Sequence, residues 1–376
     1  MNERVFDRVW EEVRSQYYDP HLHGVNWSEA RRTYRPRALN AADDRALYAV
    51  LGEMLNLLDD DHAGASAPAI TNRQDMLRER RATIGVKLRV DPAQPGLYVV
   101  ESVRAGSPAE AAGIDAGWKL DTTGAGAWHP ELEVVDGQPV TMAFRDADAV
   151  LRDVTITPVI MEPTQPFVAD RSHPGVVVLR IEGFESGLGE WMGRELAQLA
   201  PDTDVIIDLR GNPGGRLTEA DAVLSCFLPR DQAWATRTSR AGRAVVLKTG
   251  GACGDLTVPA ANDVAVLVDS NSRSAAELTP AALQEAGRAV VVGEPTAGAV
   301  LISQETRLPD GGSLSLSRAD FVTSGGIRLE KRGVTPDLSA SAAPGDRRAG
   351  RDQALQVAIA ALATARAVAP PAAAAP

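Results

Sequence analysis

Residues 264–298 read VAVLVDSNSRSAAELTPAALQEAGRAVVVGEPTAG, and their pattern decides the fold. Val264–Val268 is an unbroken apolar run. Residues 269–273 form a polar turn, Ser274-Ala275-Ala276-Glu277 opens a helical pattern that lasts to Gly287, and 289–292 is a second apolar run. Strand, turn, helix, strand is the repeating unit of a parallel sheet. Ser274 falls where the turn becomes the helix. A serine there is by default an N-cap, its hydroxyl accepting a backbone N–H. Any further role has to be argued from the rest of the chain.

The chain has 376 residues, 44% hydrophobic and 24% charged, with 39 basic and 50 acidic residues and a net charge of −11. That length holds more than one core. The negative balance, with no clustered basic stripe, argues against nucleic acid or an anionic membrane as the main partner. The longest arginine-rich stretch, residues 78–81, is interrupted and lies beside a domain junction. No run of 18 apolar residues is present, so no membrane span is expected. The charged start Met1-Asn2-Glu3-Arg4 is not a signal peptide, which reads as a cytoplasmic chain, or an exported one if a leader was removed. Two cysteines, Cys226 and Cys253, cannot make a disulfide framework. Cys226 lies in an apolar pattern and reads as core.

Two apolar series at helical spacing, Val5/Val9/Val13 and Leu47/Leu51/Met54/Leu58, make residues 1–68 a small helical region. Between them lie Asp19, His21 and His23. They match no established ligand motif, and catalytic zinc needs three protein ligands in set geometry, so no metal is expected. The second series runs into Asp59-Asp60-Asp61-His62, followed by the small residues Ala63-Gly64-Ala65. The small residues leave room around the imidazole. Asp61 is the carboxylate expected to orient the ring if it reaches it, or else is a charge at the helix end.

From about residue 83 to 160 the texture changes to short alternating strands. Ile84-Gly85-Val86, the segment SPAEAAGI at 107–114 and VDGQPV at 135–140 together resemble a PDZ domain. Residues 124–131, with His129, read as an insertion in it. The resemblance implies that the Ile84-Gly85-Val86 edge pairs with an extended peptide; a structural spacer that binds nothing is the alternative. From residue 163 to 366 the pattern is α/β. The buried strand 205–210 runs into Gly211-Asn212-Pro213-Gly214-Gly215 and then a helix. Such a loop turns backbone N–H groups toward a phosphate or an oxyanion. No Gly-Lys-Ser/Thr follows, which excludes a nucleotide P-loop. The Ala/Pro-rich tail, 367–376, cannot form a core and is expected to be disordered.

Four motifs occur in order: DLRGNPGG at 208–215, SAAE at 274–277, GEPTAG at 293–298 and GVTPD at 333–337. With YYDPHLHGVNW at 17–27, they resemble the tail-specific, or C-terminal-processing, serine peptidases, closest to the branch of the tricorn core and the retinoid-binding proteins. The resemblance covers residues 5–365. It implies a multi-domain α/β chain: a crotonase/ClpP-like α/β core, an N-terminal helical region and an inserted PDZ-like β domain. It also implies Ser274 as nucleophile, His62 as base and Glu330 as the third member, with Gly215 and Ala275 as oxyanion donors and Gly214 and Asp61 as auxiliaries. Ala299 stands where one branch of the family carries a lysine base, so a Ser–Lys dyad is not expected. Arg273 stands where many relatives have a small or apolar residue, and either binds a substrate carboxylate or is solvated. No cofactor is implied, and the partner is a polypeptide substrate. The competing readings are a non-catalytic binding protein for an apolar ligand or peptide, and an ester or amide hydrolase on the same scaffold.

Overall fold

The computed structural model describes residues 1–68, 81–90, 97–104, 106–115, 117–122, 134–162, 165–341 and 351–368. Residues 78–80, the 124–131 insertion with His129, and the tail from 369 lie outside that set. The chain forms two compact units. One comprises residues 1–68, 165–341 and 353–376, and the other 69–164 and 342–352. The N-terminal helices therefore belong to the same unit as the α/β core.

The core of the first unit is a six-stranded sheet. Its strands are β9 (Phe167–Asp170), β10 (Val176–Ile181), β11 (Asp204–Asp208), β14 (Val264–Val268), β15 (Ala289–Gly293) and β18 (Leu338–Ser339), in the order β18-β15-β14-β11-β10-β9. All neighbours are parallel except β9, which runs antiparallel to β10. Both β11 and β14 are buried at every position, as a parallel strand covered on both faces requires. Alternation then assigns the faces. Val177, Leu179, Val205, Ile207, Val264 and Val266 pack toward α5 (Leu188–Ala197), α6 (Leu217–Ser225) and α7 (Ala275–Glu285). Val176, Val178, Ile206, Ala265 and Leu267 face α8 (Gln353–Val368) through Ala354, Ala358 and Leu362.

A second sheet joins β1 (Gly64–Ser66), β17 (Ser313–Thr323), β12 (Ala233–Ser239) and β13 (Ala244–Lys248), with β16 (Ile302–Arg307) also paired to β17. Three helices, α1 (Asn2–Gln16), α2 (Trp27–Leu39) and α3 (Asp44–Leu55), share a core with Leu301, Leu308, Leu314 and Leu316 beside this sheet. Two of the three follow the two apolar series. The third, α2, was not read from the sequence. It buries only Trp27, Ala30 and Ala38 and carries Pro36, so it shows no apolar stripe. Its start is set instead by Asn26, whose side chain accepts the Glu29 N–H. In the turn before it, the Asp19 carboxylate accepts the N–H groups of His21 and His23. The His23 ring is bonded to the Tyr18 hydroxyl and the Leu58 carbonyl. These residues build the turn. Among the described residues no cluster of three or more His, Cys, Asp or Glu could hold a metal ion, and no helix is long and apolar enough to cross a membrane.

The cysteines depart from the sequence reading. Cys226, at the end of α6, is buried as expected, but it is bonded to Cys253 across 27 residues. Two cysteines are no framework, yet one pair staples the long excursion that carries β12 and β13.

The second unit pairs β2 (Arg81–Thr83) with β8 (Val159–Met161) and holds a five-stranded antiparallel sheet in sequential order. Its strands are β3 (Val86–Val90), β4 (Leu97–Val103), β5 (Lys119–Asp121), β6 (Val140–Arg145) and β7 (Leu151–Ile156). A one-turn helix, α4 (Pro108–Ala111), is capped by Ser107. The edge strand begins at Val86 rather than at Ile84. Ile84 and Gly85 precede it with their carbonyls already accepting the Ala109 and Arg104 N–H groups.

Candidate active site

Ser274 joins β14 to α7 in an unusual conformation, φ 54° and ψ −117°, which a residue with a Cβ adopts only at a cost of about 1–3 kcal/mol. Ser274 and Glu277 stand in the arrangement of a capping box, with the hydroxyl on the side of the Glu277 N–H but no side-chain cap hydrogen bond made. The Glu277 carboxylate accepts the Ser274 N–H at 3.1 Å. The Glu277 N–H goes to the Ser274 backbone carbonyl at 2.8 Å, not to its hydroxyl. Ser274 thus ends the turn without capping the helix, and its hydroxyl makes no hydrogen bond to a described residue. The strained backbone is held from several sides. The Ser274 N–H also reaches the Ala299 carbonyl at 2.8 Å. Buried Glu277 accepts in addition from the Thr296 hydroxyl and the N–H groups of Gly298 and Ala299. Burial pushes the Glu277 carboxyl upward in pKa, and these donors pull it back.

The glycine loop lies against this turn. Asn212, wholly buried, donates its amide to the Ile181 carbonyl at 2.7 Å and accepts the Gly214 N–H at 2.8 Å. Its own carbonyl accepts the Arg273 N–H at 2.9 Å. Asp269 accepts the Gly211 N–H at 2.9 Å from the other side. A Cβ on Gly214, at φ 97°, would stand 2.7 Å from the Ser274 Cβ and 2.8 Å from the Arg273 carbonyl oxygen. One on Gly215, at φ 143°, would stand 2.5 Å from the Phe184 carbonyl oxygen. Both positions therefore demand glycine. The N–H groups of Gly215 and Ala275 have no protein acceptor among the described residues. For Ala275, at the first position of α7, this is the ordinary state of a helix N-terminus.

A second group is buried nearby. His62 is largely enclosed, with its N–H on the Asp60 carboxylate at 2.8 Å. Its Nδ1 lies 3.9 Å from the same oxygen, too far for a hydrogen bond, and has no partner. Burial lowers the His62 pKa. Asp60 and Asp61 oppose that shift, while Arg273 and Lys331 add to it. Glu330 is buried with one oxygen on the Val300 N–H at 2.8 Å and the other without a partner. Burial raises its pKa, and Asp60 raises it further. The second Asp60 oxygen and the Tyr17 hydroxyl are also buried and unpartnered, and burial followed by the Asp60 charge raises the tyrosine. Buried polar atoms are rarely unpaired. Here Tyr17, Asp60, His62 and Glu330 each carry one, and Asp60 is electrostatically coupled to the other three.

The structure thus gathers the sequence candidates into two groups. Ser274, Gly214, Gly215 and Ala275 form one turn-and-loop pair. His62 and Glu330 lie around Asp60. The His62 ring makes no hydrogen bond to Ser274 or to Glu330, although the charge on Arg273 reaches it. Asp61 is turned away: with Asp59 it holds Lys331 at 3.2 and 3.3 Å. Burial works against the Lys331 charge, but Asp61 and Asp59 outweigh it and hold the ammonium above the usual lysine range, which makes it a poor base. The buried acid beside the histidine is Asp60, which the sequence does not single out. In a run of three aspartates, nothing in the pattern tells which one points inward. Ala299 is buried and meets the Ser274 turn through its carbonyl.

Residues 175–340 match peptidase family S41, and residues 2–56 match the tricorn protease C1 domain. A carboxyl-terminal-processing protease from Picosynechococcus sp. is 27% identical over 344 residues, covering 88% of this chain and 81% of the relative. One from Synechocystis sp. is 26% identical over 362 residues, covering 89% and 80%. Among solved structures, the photosystem II D1 C-terminal processing protease matches with a TM-score of 0.66 at 22% identity, over 90% of this chain and 93% of that one. The tricorn protease matches with a TM-score of 0.57 at 19% identity, over 96% of this chain and 36% of that one. These two likenesses concern the fold. Residues 175–340 are thus a peptidase family S41 domain, and with the relatives matched over most of their length they make the chain a serine peptidase similar to the carboxyl-terminal-processing proteases.

Proposed function

We propose that the chain hydrolyses peptide bonds of extended polypeptides, with Ser274 as nucleophile, His62 as general base and Glu330 as the carboxylate behind it. The observation that carries this reading is the Ser274 turn: a strained serine with a free hydroxyl, next to two unsatisfied backbone N–H groups. The Ser274 Oγ adds to the scissile carbonyl carbon as His62 takes its proton. The carbonyl oxygen becomes the oxyanion and is met by the N–H groups of Gly215 and Ala275, the latter at a helix N-terminus whose dipole favours negative charge. The intermediate then collapses. The amine leaves with the proton from His62, and water hydrolyses the acyl-enzyme by the same steps. Glu330 and Asp60 stabilise the imidazolium that forms in each half-reaction.

A fluorophosphonate probe tests the reading. It labels the intact protein, and labelling is lost in Ser274→Ala and strongly slowed in His62→Ala. An unlabelled folded protein would favour the binding-protein alternative. Turnover of small esters without peptides would favour the other hydrolase. The five-stranded unit is read as a PDZ-like module whose open edge is β3 from Val86 onward, available for an added strand. The buried Cys226–Cys253 pair favours an oxidising compartment as the place of work.

A further inference from the structure

Arg273 immediately precedes the nucleophile, and its backbone is fixed on both sides. Its N–H is bonded to the Asn212 carbonyl, and its carbonyl accepts the Ala276 N–H at 2.9 Å. The root of the side chain is therefore held on the rim of the serine turn. The side chain is half-buried. It nevertheless makes no ion pair or hydrogen bond with any described residue. Arg210 and Arg318, enclosed in the same unit, hold Asp208 and Glu12. The exposed carboxylates near the histidine are not available to Arg273 either, since Asp59 and Asp61 are engaged by Lys331. Arg216, directly after Gly215, is exposed and has no carboxylate partner among the described residues. In a chain with 11 more acidic than basic residues, Arg273 and Arg216 flank the serine turn and the glycine loop without a carboxylate partner among the described residues. A partly desolvated guanidinium without an anion is a vacant half of a charge-assisted, bidentate pair.

We propose that Arg273 is a specificity-determining residue that binds a carboxylate of the substrate close to the scissile bond. This rests on the peptidase reading and adds the chemistry of the preferred substrate. The carboxylate has two sources, the free C-terminus of the polypeptide or an acidic side chain.

The test uses quenched-fluorescent peptides that share one cleavable bond. One ends in a free carboxylate near that bond, one in an amide, and one in an amide with Glu replacing an internal Gln. Each is assayed with wild type, Arg273→Gln and Arg273→Lys. Within each protein, the ratio of kcat/KM between a carboxylate peptide and the neutral amide cancels any general effect of the substitution on folding or on the histidine. Wild type is expected to favour one carboxylate peptide by about tenfold or more, mostly in KM. The ratio falls to near one in Arg273→Gln and is partly kept in Arg273→Lys, which retains charge but not the fork. Which of the two peptides is favoured identifies the source. Turnover of the amide peptide with wild-type ratios near one, or a preference unchanged in Arg273→Gln, overturns the inference and leaves the peptidase reading standing. Absence of both peptide turnover and fluorophosphonate labelling overturns both.

Discussion

Whether Ser274 caps a helix or waits as a nucleophile is decided by its contribution to stability. A capping serine replaced by alanine costs about 1 kcal/mol, with a range of about 0.5–2. Here the Glu277 N–H is taken by the Ser274 backbone carbonyl, and the hydroxyl makes no cap hydrogen bond. Ser274→Ala is therefore expected to change stability by less than about 0.5 kcal/mol while abolishing labelling and turnover. Ser274→Gly separates the backbone from the side chain. At φ 54° and ψ −117° a Cβ costs about 1–3 kcal/mol, which glycine relieves. Glycine loses more chain entropy on folding, about 0.5–1 kcal/mol. The difference leaves Ser274→Gly more stable than Ser274→Ala by about 1 kcal/mol, or roughly 2–4 °C in Tm for a unit of this size. Urea and thermal unfolding of the two variants measure it, with an unchanged m value as the check that only stability moved. A loss of 1 kcal/mol or more in Ser274→Ala, or a glycine variant that melts below the alanine variant, would refute the reasoning. The first result would restore the cap, and the second would remove the strain.

Three further outcomes follow from the site and the scaffold. On the proposed mechanism His62 works only as neutral imidazole, so turnover is lost as pH falls through its pKa. Because burial lowers that pKa, the acid limb of kcat/KM lies below the ordinary histidine value of about 6.5; Asp60→Asn removes an opposing charge and moves it lower, and a pH–rate profile with its limb at or above 6.5 contradicts this. Gly214→Ala, whose Cβ would meet the Ser274 Cβ at 2.7 Å, is expected to lose 10²-fold or more in labelling rate; Gly187→Ala, also at positive φ but with open space around it, keeps the rate and serves as the control for strain alone. Cys253→Ser is expected to lose roughly 3 kcal/mol in urea unfolding, the loop-closure term for 27 residues, and a reductant should lower the wild type to the same level; a wild type indifferent to reductant would speak against the bond.

What the sequence made legible was local. The apolar runs of β11 and β14 are continuous because both faces of a parallel strand are covered, and a run of that kind is visible in any window. The glycines at 214 and 215 are visible too, although their reason is not. That reason lies in the Ser274 Cβ and the Phe184 carbonyl, which arrive from elsewhere in the chain. What stayed hidden was set by tertiary contact. Helix α2 has no apolar stripe because it rests on three residues only. Cys253 gives no local sign that it will meet Cys226. Asp60 and Asp61 are chemically identical neighbours, and only the docking of the loop turns one inward and leaves the other on Lys331. The conformation of Ser274 is likewise not a propensity. Serine, alanine and glutamate after a polar turn predict a capped helix, and the carbonyl of Ala299 and the carboxylate of Glu277 impose something else.

The same contacts bear on the proposed pairing of His62, carried by the N-terminal region, with Ser274, more than two hundred residues away. His62 sits in a loop fixed at both ends and across its middle. Before it, the Leu58 carbonyl accepts a hydrogen bond from the His23 ring, which ties the YYDPHLHG turn to the loop. After it, β1 pairs with β17, aligning Gly64 with Ser315. Across it, Lys331 holds Asp59 and Asp61, and Lys331 is the neighbour of Glu330 in the chain. Glu330 in turn holds the N–H of Val300, the residue after Ala299, whose carbonyl fixes Ser274. A continuous path of hydrogen bonds and short chain steps thus runs from the histidine loop to the serine turn. Each exposed ion pair on it is worth little alone. Their value is geometric: about 1 Å of drift between base and nucleophile can cost 10²-fold in rate. On this argument the acidic run at 59–61 is divided in function, with the outer two aspartates anchoring the loop and the middle one setting the electrostatics of the ring.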